Sequence, residues 1–559
     1  MQTKPWGSRV VPYPQASIER YVRTGSWSEL PTAERFHQVA LEFPRHVAVV
    51  DQQGATTYGE LDRRTDQIAA ALIDLGIKPY DSAIFQVTNR MAAVLAWYGF
   101  LKAGAIPVAT LASHREHEIG YISRKVGATA HLVDSDLPKF DLVEFAKKQS
   151  AGHPSMGLVL TIGSRAVRGV ERIEELGSGY DPVAARMKVA VVQALLLPSD
   201  VAVFQLSGGT TGVPKVIPRL HAEYWNNALW YAQRLGRTER TRVAYLAPLV
   251  HNAGVLCGLH GAHAVGARLV LPPLEPGPAM KFMAAEQVDD VLFGPSSFQW
   301  PEHPEYAEMA RCLSSVVLSG TKVPGAVFDR VQQLGGRVGQ LFGMAEGLCA
   351  ATAPDTPESI RRDHVGFPLA EEDEMRIVDP ASGEEVPDGQ IGELTCRGPY
   401  TIPGYFDAAD RNQQAFTDDG FYRTGDLAKV DMIDGRRYLS IEGRIKDVIN
   451  RGGEKINAEE VELLLLRHPA ISSAAVVAMP DLRLGERSCA YIVTGDAALT
   501  LVDVQEHFNS IGVAKFKWPE RVECVDALPQ TYVGKIDKKA LRERISAAMT
   551  TDVEAEGRR

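Results

Sequence analysis

Cysteine is sparse: six residues, Cys257, Cys312, Cys349, Cys396, Cys489 and Cys524, are scattered through 559 with no close pair. A disulfide scaffold or a zinc knuckle needs paired spacing, so both are excluded and a reducing compartment, the cytoplasm, is expected. Positive charge is in deficit. Lys and Arg total 60 against 70 Asp and Glu, a formal net charge of −10. Repulsion of a polyphosphate backbone follows, which argues against nucleic-acid binding. Long apolar runs are missing as well. The most apolar stretch, residues 91–111, is punctuated by Lys102, Gly104 and Pro107, whereas a membrane-spanning helix needs roughly 20 uninterrupted apolar residues. It reads as a buried helix at 91–102 followed by a strand at 105–108, and no membrane association is expected. The first residues, Met1-Gln2-Thr3-Lys4-Pro5-Trp6, carry no apolar segment of a secretory signal.

What is present is the composition of a folded globular chain, 45% hydrophobic and 23% charged. The length is about three times that of a typical domain, so more than one core is expected. Short β-branched runs alternate with helical stretches: Val47-Ala48-Val49-Val50 precedes a helix at 58–75 with Leu61, Ile68, Leu72 and Leu75 at helical spacing. Residues 83–87, 130–133, 158–162, 269–271, 291–293 and 316–318 read as further buried strands. That alternation predicts layered α/β subdomains on a largely parallel sheet. After about Glu384 the texture turns β-rich and antiparallel, and from Gly443 a smaller α+β unit begins, with helices at 458–467 and 501–509. The boundary is drawn so that residues 1–445 form a large N-terminal unit and 446–559 a small C-terminal one.

Four segments carry chemistry. The strand Val201-Ala202-Val203-Phe204-Gln205-Leu206 runs into Ser207-Gly208-Gly209-Thr210-Thr211-Gly212-Val213-Pro214-Lys215. Glycines let backbone N–H groups approach a polyphosphate, hydroxyls donate to its oxygens, and lysine offsets its charge. The spacing is not that of a Walker A loop. Gln530-Thr531-Tyr532-Val533-Gly534-Lys535-Ile536-Asp537 puts a mobile cation beside a flexible tip. Phe342-Gly343-Met344-Ala345-Glu346-Gly347 and Tyr422-Arg423-Thr424-Gly425-Asp426 each end near a carboxylate, suited to Mg²⁺ or ribose hydroxyls. Alone, each of the last three is more often an ordinary solvated turn.

Together and in this order, the four resemble the acyl-adenylate-forming enzymes, which include acyl-CoA synthetases, luciferases and adenylation domains of peptide synthetases. Gly443-Arg444-Ile445-Lys446-Asp447 with Asn450-Arg451-Gly452-Gly453-Glu454-Lys455 resembles a fifth family motif. Within that family the chain most resembles the stand-alone aryl-acid AMP ligases of siderophore and aryl-capped peptide pathways. Pro12-Tyr13-Pro14, Glu19-Arg20-Tyr21, residues 342–348, 450–455 and Gly485-Glu486-Arg487-Ser488 carry the narrower likeness. The resemblance implies ATP and Mg²⁺ as cofactors and an aryl carboxylic acid as substrate. Aryl-AMP and pyrophosphate would form first, and a thiol would then displace AMP.

The same resemblance assigns roles. Ser207, Gly208, Gly209, Thr210, Thr211, Gly212 and Lys215 would hold the phosphates, and Glu346 would assist Mg²⁺. Phe342, Gly343, Met344 and Ala345, with Ser319, Gly320, Thr321 and Lys322, would flank adenine. Asp426 would take the ribose hydroxyls, Arg444 the ribose or phosphate side, and Lys535 the transition-state charge. The small unit would be mobile, rotating about Lys446 to present Gly452 and Gly453 to a phosphopantetheine arm. His251, counted with Lys535 and Glu346 as catalytic, and Asn252 would gate the aryl pocket, Asn252 bonding a hydroxyl or amino group ortho to the carboxylate. Ala253, Leu256, Cys257, Ser319, Gly320 and Cys349 would complete it.

This pocket departs from its relatives. Where dihydroxybenzoate ligases usually continue with an aromatic residue and a serine pair, this chain reads Ala253-Gly254-Val255-Leu256-Cys257-Gly258, one residue shorter. The expectation is an opened pocket that favours salicylate or 3-hydroxyanthranilate over 2,3-dihydroxybenzoate, unless Leu256 folds inward and rebuilds the wall. No carrier-type serine motif follows Lys535, so a carrier protein would act in trans. Rival readings are CoA as the acceptor and a non-catalytic scaffold, the latter disfavoured by intact Glu346, Asp426 and Lys535.

Overall fold

The computed structural model describes residues 4, 6–207, 214–452, 454–481, 483–495, 499–531 and 534–556. Two large sheets dominate residues 47–368. In one, Glu171–Arg172, Leu158–Ile162, Ala130–Asp134, Ser82–Gln86, Ile106–Ala109 and Val201–Leu206 run parallel, and Val216–Leu220 closes the edge antiparallel. The other has six parallel strands, Val47–Asp51, Arg268–Val270, Arg242–Tyr245, Asp290–Phe293, Ser315–Ser319 and Arg337–Gly343, with short antiparallel strands at both edges. Strands this apolar are buried on both faces, which is why they lack alternation. The predicted α/β layering is therefore what forms.

Helices Tyr58–Asp74, Met91–Lys102 and His221–Arg234 share one core with strands of both sheets. The first is set by a capping box, Thr57 and Glu60 satisfying each other's backbone N–H. The apolar 91–102 segment is a helix with those bounds. Lys102, the charge that argued against a membrane span, is fully buried there, its ammonium 2.7 Å from both Asp62 and Asp66. Among the described residues no helix is long and apolar enough to cross a membrane.

Beyond the large sheets lies an antiparallel four-stranded sheet, Glu374–Val378, Gly392–Arg397, Tyr422–Ile433 and Arg436–Arg444. The chain leaves it at Arg444, makes the short turn Ile445–Asp447, and enters a five-stranded sheet at Val448. That last sheet has its own cores, around Ile456, Val461 and Ile492 on one side and Val477, Tyr491 and Leu541 on the other. Two sequence expectations are trimmed: the helices over 58–75 and 458–467 stop at Asp74 and Leu465, with Leu75 and Leu466 as their caps, since helix ends fray over one or two residues.

Candidate active site

Five parallel strands end at one cavity of about 2170 Å³. Ser207 follows Val201–Leu206, Leu246 follows Arg242–Tyr245, Gly294 follows Asp290–Phe293, and Ser319 and Gly343 end their own strands. Ligands of open α/β sheets bind at such carboxyl ends. The four-stranded sheet contributes Asp426 and Arg444, and the C-terminal unit contributes Lys446 and Lys535.

At the end of the cavity lined by Asp426, strand register makes the first contact. Asp426 and Arg444 are cross-strand partners, and Arg444 Nε lies 3.0 Å from Asp426 Oδ1. Burial nevertheless raises the Asp426 carboxyl, with Arg444 and then Lys535 pulling the other way. Glu346 sits in a turn whose next residue must be glycine: at Gly347, φ +138°, a Cβ would stand 1.7 Å from the Tyr400 carbonyl oxygen. The Tyr405 hydroxyl donates to Glu346 Oε1 at 2.6 Å, accepts from Lys215 Nζ at 2.8 Å and lies 2.9 Å from the Tyr422 hydroxyl. A single carboxylate on the cavity wall fits the habit of Mg²⁺, which is held by one or two carboxylates plus substrate oxygens. Among the described residues no cluster of three metal-ligating side chains exists, so the phosphates themselves would complete any such site.

Lys535 enters this end from the small unit. Gly534 packs against Ser296, a Cβ there meeting Ser296 Cβ at 3.4 Å, so the loop is seated on the large unit. The Lys535 side chain remains open to the cleft. Enclosure by the cleft walls, then Arg444, lowers its ammonium to about 8, with Asp426 opposing. His251, facing the same space, is drawn down to about 4 by burial and then by Lys535, so it is neutral at pH 7.

At the other end Asn252 is fixed from behind. Arg219 and Glu223, both fully buried, form a bidentate pair with contacts of 2.8 and 2.6 Å. Arg219 Nη1 donates to Asn252 Oδ1 at 3.1 Å and to the Ala345 carbonyl at 3.0 Å. The Tyr224 hydroxyl donates to the same Oδ1 at 3.1 Å, its own oxygen accepting from Gln205 Nε2 at 3.0 Å. Because a guanidinium can only donate, the Asn252 amide has one possible orientation. Its nitrogen gives one hydrogen to the Met344 carbonyl at 3.2 Å and keeps the second for the cavity.

The segment after Asn252 corrects the sequence expectation. It is not an open loop: Gly254–Leu259 is a π-helical turn that continues into the helix His260–His263. Such turns widen the backbone spacing and recur at functional sites. Gly254 opens no room beside a ring, because a Cβ there would lie 2.3 Å from the Leu249 carbonyl oxygen, so glycine serves close backbone approach. Leu256, Cys257 and Ala253 face the cavity, with Cys349 across from them. The inward Leu256 is thus the arrangement that forms. Buried Arg237 clamps the turn, donating to the Cys257 carbonyl at 2.6 Å, to Gly261 at 3.2 Å and to Asp290 at 2.5 Å. Burial pushes the Cys257 thiol up to about 12, so it stays protonated.

The cavity gathers Ser207, Lys215, Ser319, Gly320, Thr321, Lys322, residues 342–346, Asp426, Arg444, Lys446 and Lys535 with His251, Asn252, Ala253, Leu256, Cys257 and Cys349. Gly452 is not among its walls; it lies at φ +56° against Leu484. Gly208 to Gly212 and Gly453 lie outside the described residues. Sequence reasoning missed Tyr405, Arg219, Glu223, Tyr224 and Arg237. Tyr422 was in view only as the start of a quoted segment, and the Arg219–Glu223 spacing of four was a usable signal.

A cavity at the carboxyl ends of two parallel sheets, with a carboxylate–arginine pair on one side and a lysine delivered by a second unit, defines a ligase that adenylates a carboxylic acid. The chain belongs to the AMP-binding enzyme family: the AMP-binding enzyme model matches residues 36–406 and the model of the family's C-terminal domain matches 460–535. It is 38% identical over 545 residues to a Streptomyces protein named salicylyl-CoA synthase / salicylate adenylyltransferase, covering 95% of this chain and 97% of that one. It is 36% identical over 540 residues to the 2,3-dihydroxybenzoate-AMP ligase of Bacillus subtilis, covering 96% and 97%. Among solved structures, apo MbtA of Mycobacterium smegmatis aligns with a TM-score of 0.72 at 34% identity, covering 96% of this chain and 99% of that one.

Proposed function

We propose that the enzyme adenylates an aryl acid bearing a hydroxyl ortho to its carboxylate, salicylate being the best fit, and transfers the aroyl group to the phosphopantetheine thiol of a separate carrier protein. The observation that carries this reading is the Asn252 amide. Both contacts on Oδ1 come from protein donors, so only an N–H is left for the ligand. An ortho hydroxyl oxygen or phenolate can accept it, whereas an amino group offers a poorer acceptor. The sequence expectation of an amino-hydroxy acid such as 3-hydroxyanthranilate is therefore the weaker candidate. Leu256, Cys257 and Cys349 present no hydroxyl to a second ring oxygen, which would go unpaired at about 1–3 kcal/mol.

In this reading the acid's carboxylate oxygen attacks the α-phosphorus of ATP, the bond to the β-phosphate breaks, and pyrophosphate leaves. Lys535 neutralises charge at the carboxylate and α-phosphate, Asp426 takes the ribose hydroxyls after exchanging its Arg444 contact, and Phe342 with residues 319–322 borders adenine. Glu346 would hold Mg²⁺ with the phosphates, and that ion would offset their charge. The thiol sulfur then attacks the acyl carbon, and AMP departs. For that step the unit 446–559 turns about Lys446, withdrawing Lys535 and bringing Gly452 and Gly453 to the cleft.

ATP–pyrophosphate exchange across benzoate, salicylate, 2,3-dihydroxybenzoate, anthranilate and 3-hydroxyanthranilate tests the reading. Salicylate should give the highest kcat/KM. Preference for anthranilate would refute the Asn252 argument, and silence across the panel would refute the aryl assignment. CoA as acceptor is the second reading, favoured by the name of the Streptomyces relative, salicylyl-CoA synthase. Following consumption of aryl-AMP with CoA against holo carrier protein separates the two.

A further inference from the structure

The helix Pro182–Gln193 has two apolar faces where a surface helix needs one. Ala185, Val189 and Val192 are buried, and the helix packs along Tyr58–Asp74. On the outer face Val183, Met187, Val191 and, two residues past the helix, Leu195 are 68, 68, 67 and 58% exposed. A spacing of four sets them in a single stripe. Ala184, Ala190 and Ala194 are exposed beside them, so no charge interrupts it. The helix's cations are turned aside and paired, Arg186 with Glu34 at 2.8 Å and Lys188 with Asp74. Of the 13 large hydrophobics exposed among the described residues, five fall within residues 183–197. The rest are scattered, which is ordinary for a surface, whereas this clustering is not.

We propose that this stripe is a homodimer interface, in which two copies pack the helix Pro182–Gln193 antiparallel about a twofold axis near residue 189. The stripe is its own complement. Reversing the helix about residue 189 sets Val183 against Leu195 of the second copy and Met187 against Val191, large against large. The alanines between allow the 8–10 Å axial approach of packed helices. An isologous contact requires such self-matching, and an uncharged stripe brings no like charges together. The area also suits this occupant. A standard interface buries about 800 Å² per partner as an apolar core within a polar rim; the exposed stripe supplies such a core, with the Arg186–Glu34 and Lys188–Asp74 pairs at its rim. A partner chosen by charge would find nothing on the stripe to pair with. The stripe lies outside the walls of the catalytic cavity, so dimerisation leaves that cavity unaltered.

Sedimentation velocity of the full chain, run from about 1 to 100 µM, reads the equilibrium directly. The wild type should sediment as a dimer at the upper end. Met187→Glu/Val191→Glu should sediment as a monomer while keeping wild-type ATP–pyrophosphate exchange and Tm. In a second measurement, Met187→Cys and Val191→Cys chains, mixed and mildly oxidised, should form an interchain disulfide that the wild type does not form, since position 187 faces position 191 of the second copy. A wild type that stays monomeric over the whole range, as it would if another protein covered the stripe, overturns the proposal. So does a double glutamate variant that remains dimeric, or a mixture of Met187→Cys and Val191→Cys chains that does not cross-link.

Discussion

Around Asn252, at the aryl end of the cavity, the surrounding polar atoms are tied to other protein groups: Arg219 to Glu223, Tyr224 to Gln205, and the amide oxygen to both Arg219 and Tyr224. At the other end, Asp426 is ion-paired at 3.0 Å to Arg444 on the next strand, and the Lys535 and Lys446 charges act on it from the C-terminal unit. One end is a rigid mould and the other a set of charges waiting to be rearranged. The difference suits the chemistry. Selecting a ring pattern needs fixed donors whose mispairing is costly, whereas a transferring phosphate needs cations that engage and withdraw.

The comparison breaks most visibly at Arg219. Arg219→Met should leave the Glu223 carboxylate buried without its partner, at a cost of about 3–5 kcal/mol in stability. Chemical denaturation measures that loss. Arg219→Met/Glu223→Leu should recover most of it, because an apolar pair of similar volume replaces both charges. The aryl-acid KM should stay raised in the double variant while the KM for ATP is unchanged. A double variant with normal aryl-acid KM would show that Asn252 needs no support from behind.

At the nucleotide end the corresponding change is Lys535→Ala. Adenylation should fall about 10²–10³-fold in kcat, the loss typical when one preorganised donor to developing charge is removed, while thiolation of supplied aryl-AMP continues. Equal loss of both half-reactions in a folded variant would refute the assignment. The pH profile sharpens it. With its pKa lowered to about 8, the ammonium is charged below pH 8 and is lost as pH rises through that value. The free-enzyme parameter kcat/KM for ATP should therefore decline above pH 8, up to tenfold per unit.

Asp426→Ala should be milder. Charge-assisted hydrogen bonds to the ribose hydroxyls are worth roughly 1.5–3 kcal/mol each, but Arg444 must first be displaced, so the expected loss in kcat/KM for ATP is about tenfold. Aryl-acid preference should not move. A drop in Tm with near-normal kinetics would instead make Asp426 a strand-pairing residue for Arg444.

The same contrast explains what could be read from the chain. The end lined by Asp426 is made of short contiguous motifs, so Glu346, Asp426, Arg444 and Lys535, which the fold brings to one cavity, could each be singled out before any fold existed. Strand and helix periodicity likewise gave the layered sheets and the 91–102 helix. The aryl end is assembled from side chains far apart in sequence, Arg219 reaching Asn252 and the Ala345 carbonyl, and no local pattern announces that. Gly254 misled for a related reason. A missing side chain was taken as space, whereas the Leu249 carbonyl occupies that place. The π-turn was equally hidden, since it depends on Arg237 supplying donors to the Cys257 and Gly261 carbonyls from outside the segment.

The smallest effect is expected at Cys349, a buried residue on the cavity wall whose thiol burial holds well above its usual range. Protonated and apolar, it packs like a small hydrophobe. Cys349→Ser keeps the shape and adds a hydroxyl able to pair with a second ring oxygen. A neutral hydrogen bond contributes about 1 kcal/mol net, so kcat/KM for 2,3-dihydroxybenzoate relative to salicylate should rise roughly fivefold. The hydroxyl has no partner when the site holds salicylate, so salicylate itself should lose a little and the ratio should move from both sides. Exchange assays with the two acids on one enzyme preparation give that ratio free of errors in active concentration. If it does not move, the second ring position faces Leu256 and Cys257 rather than Cys349, and Cys257→Ser becomes the variant that must shift it.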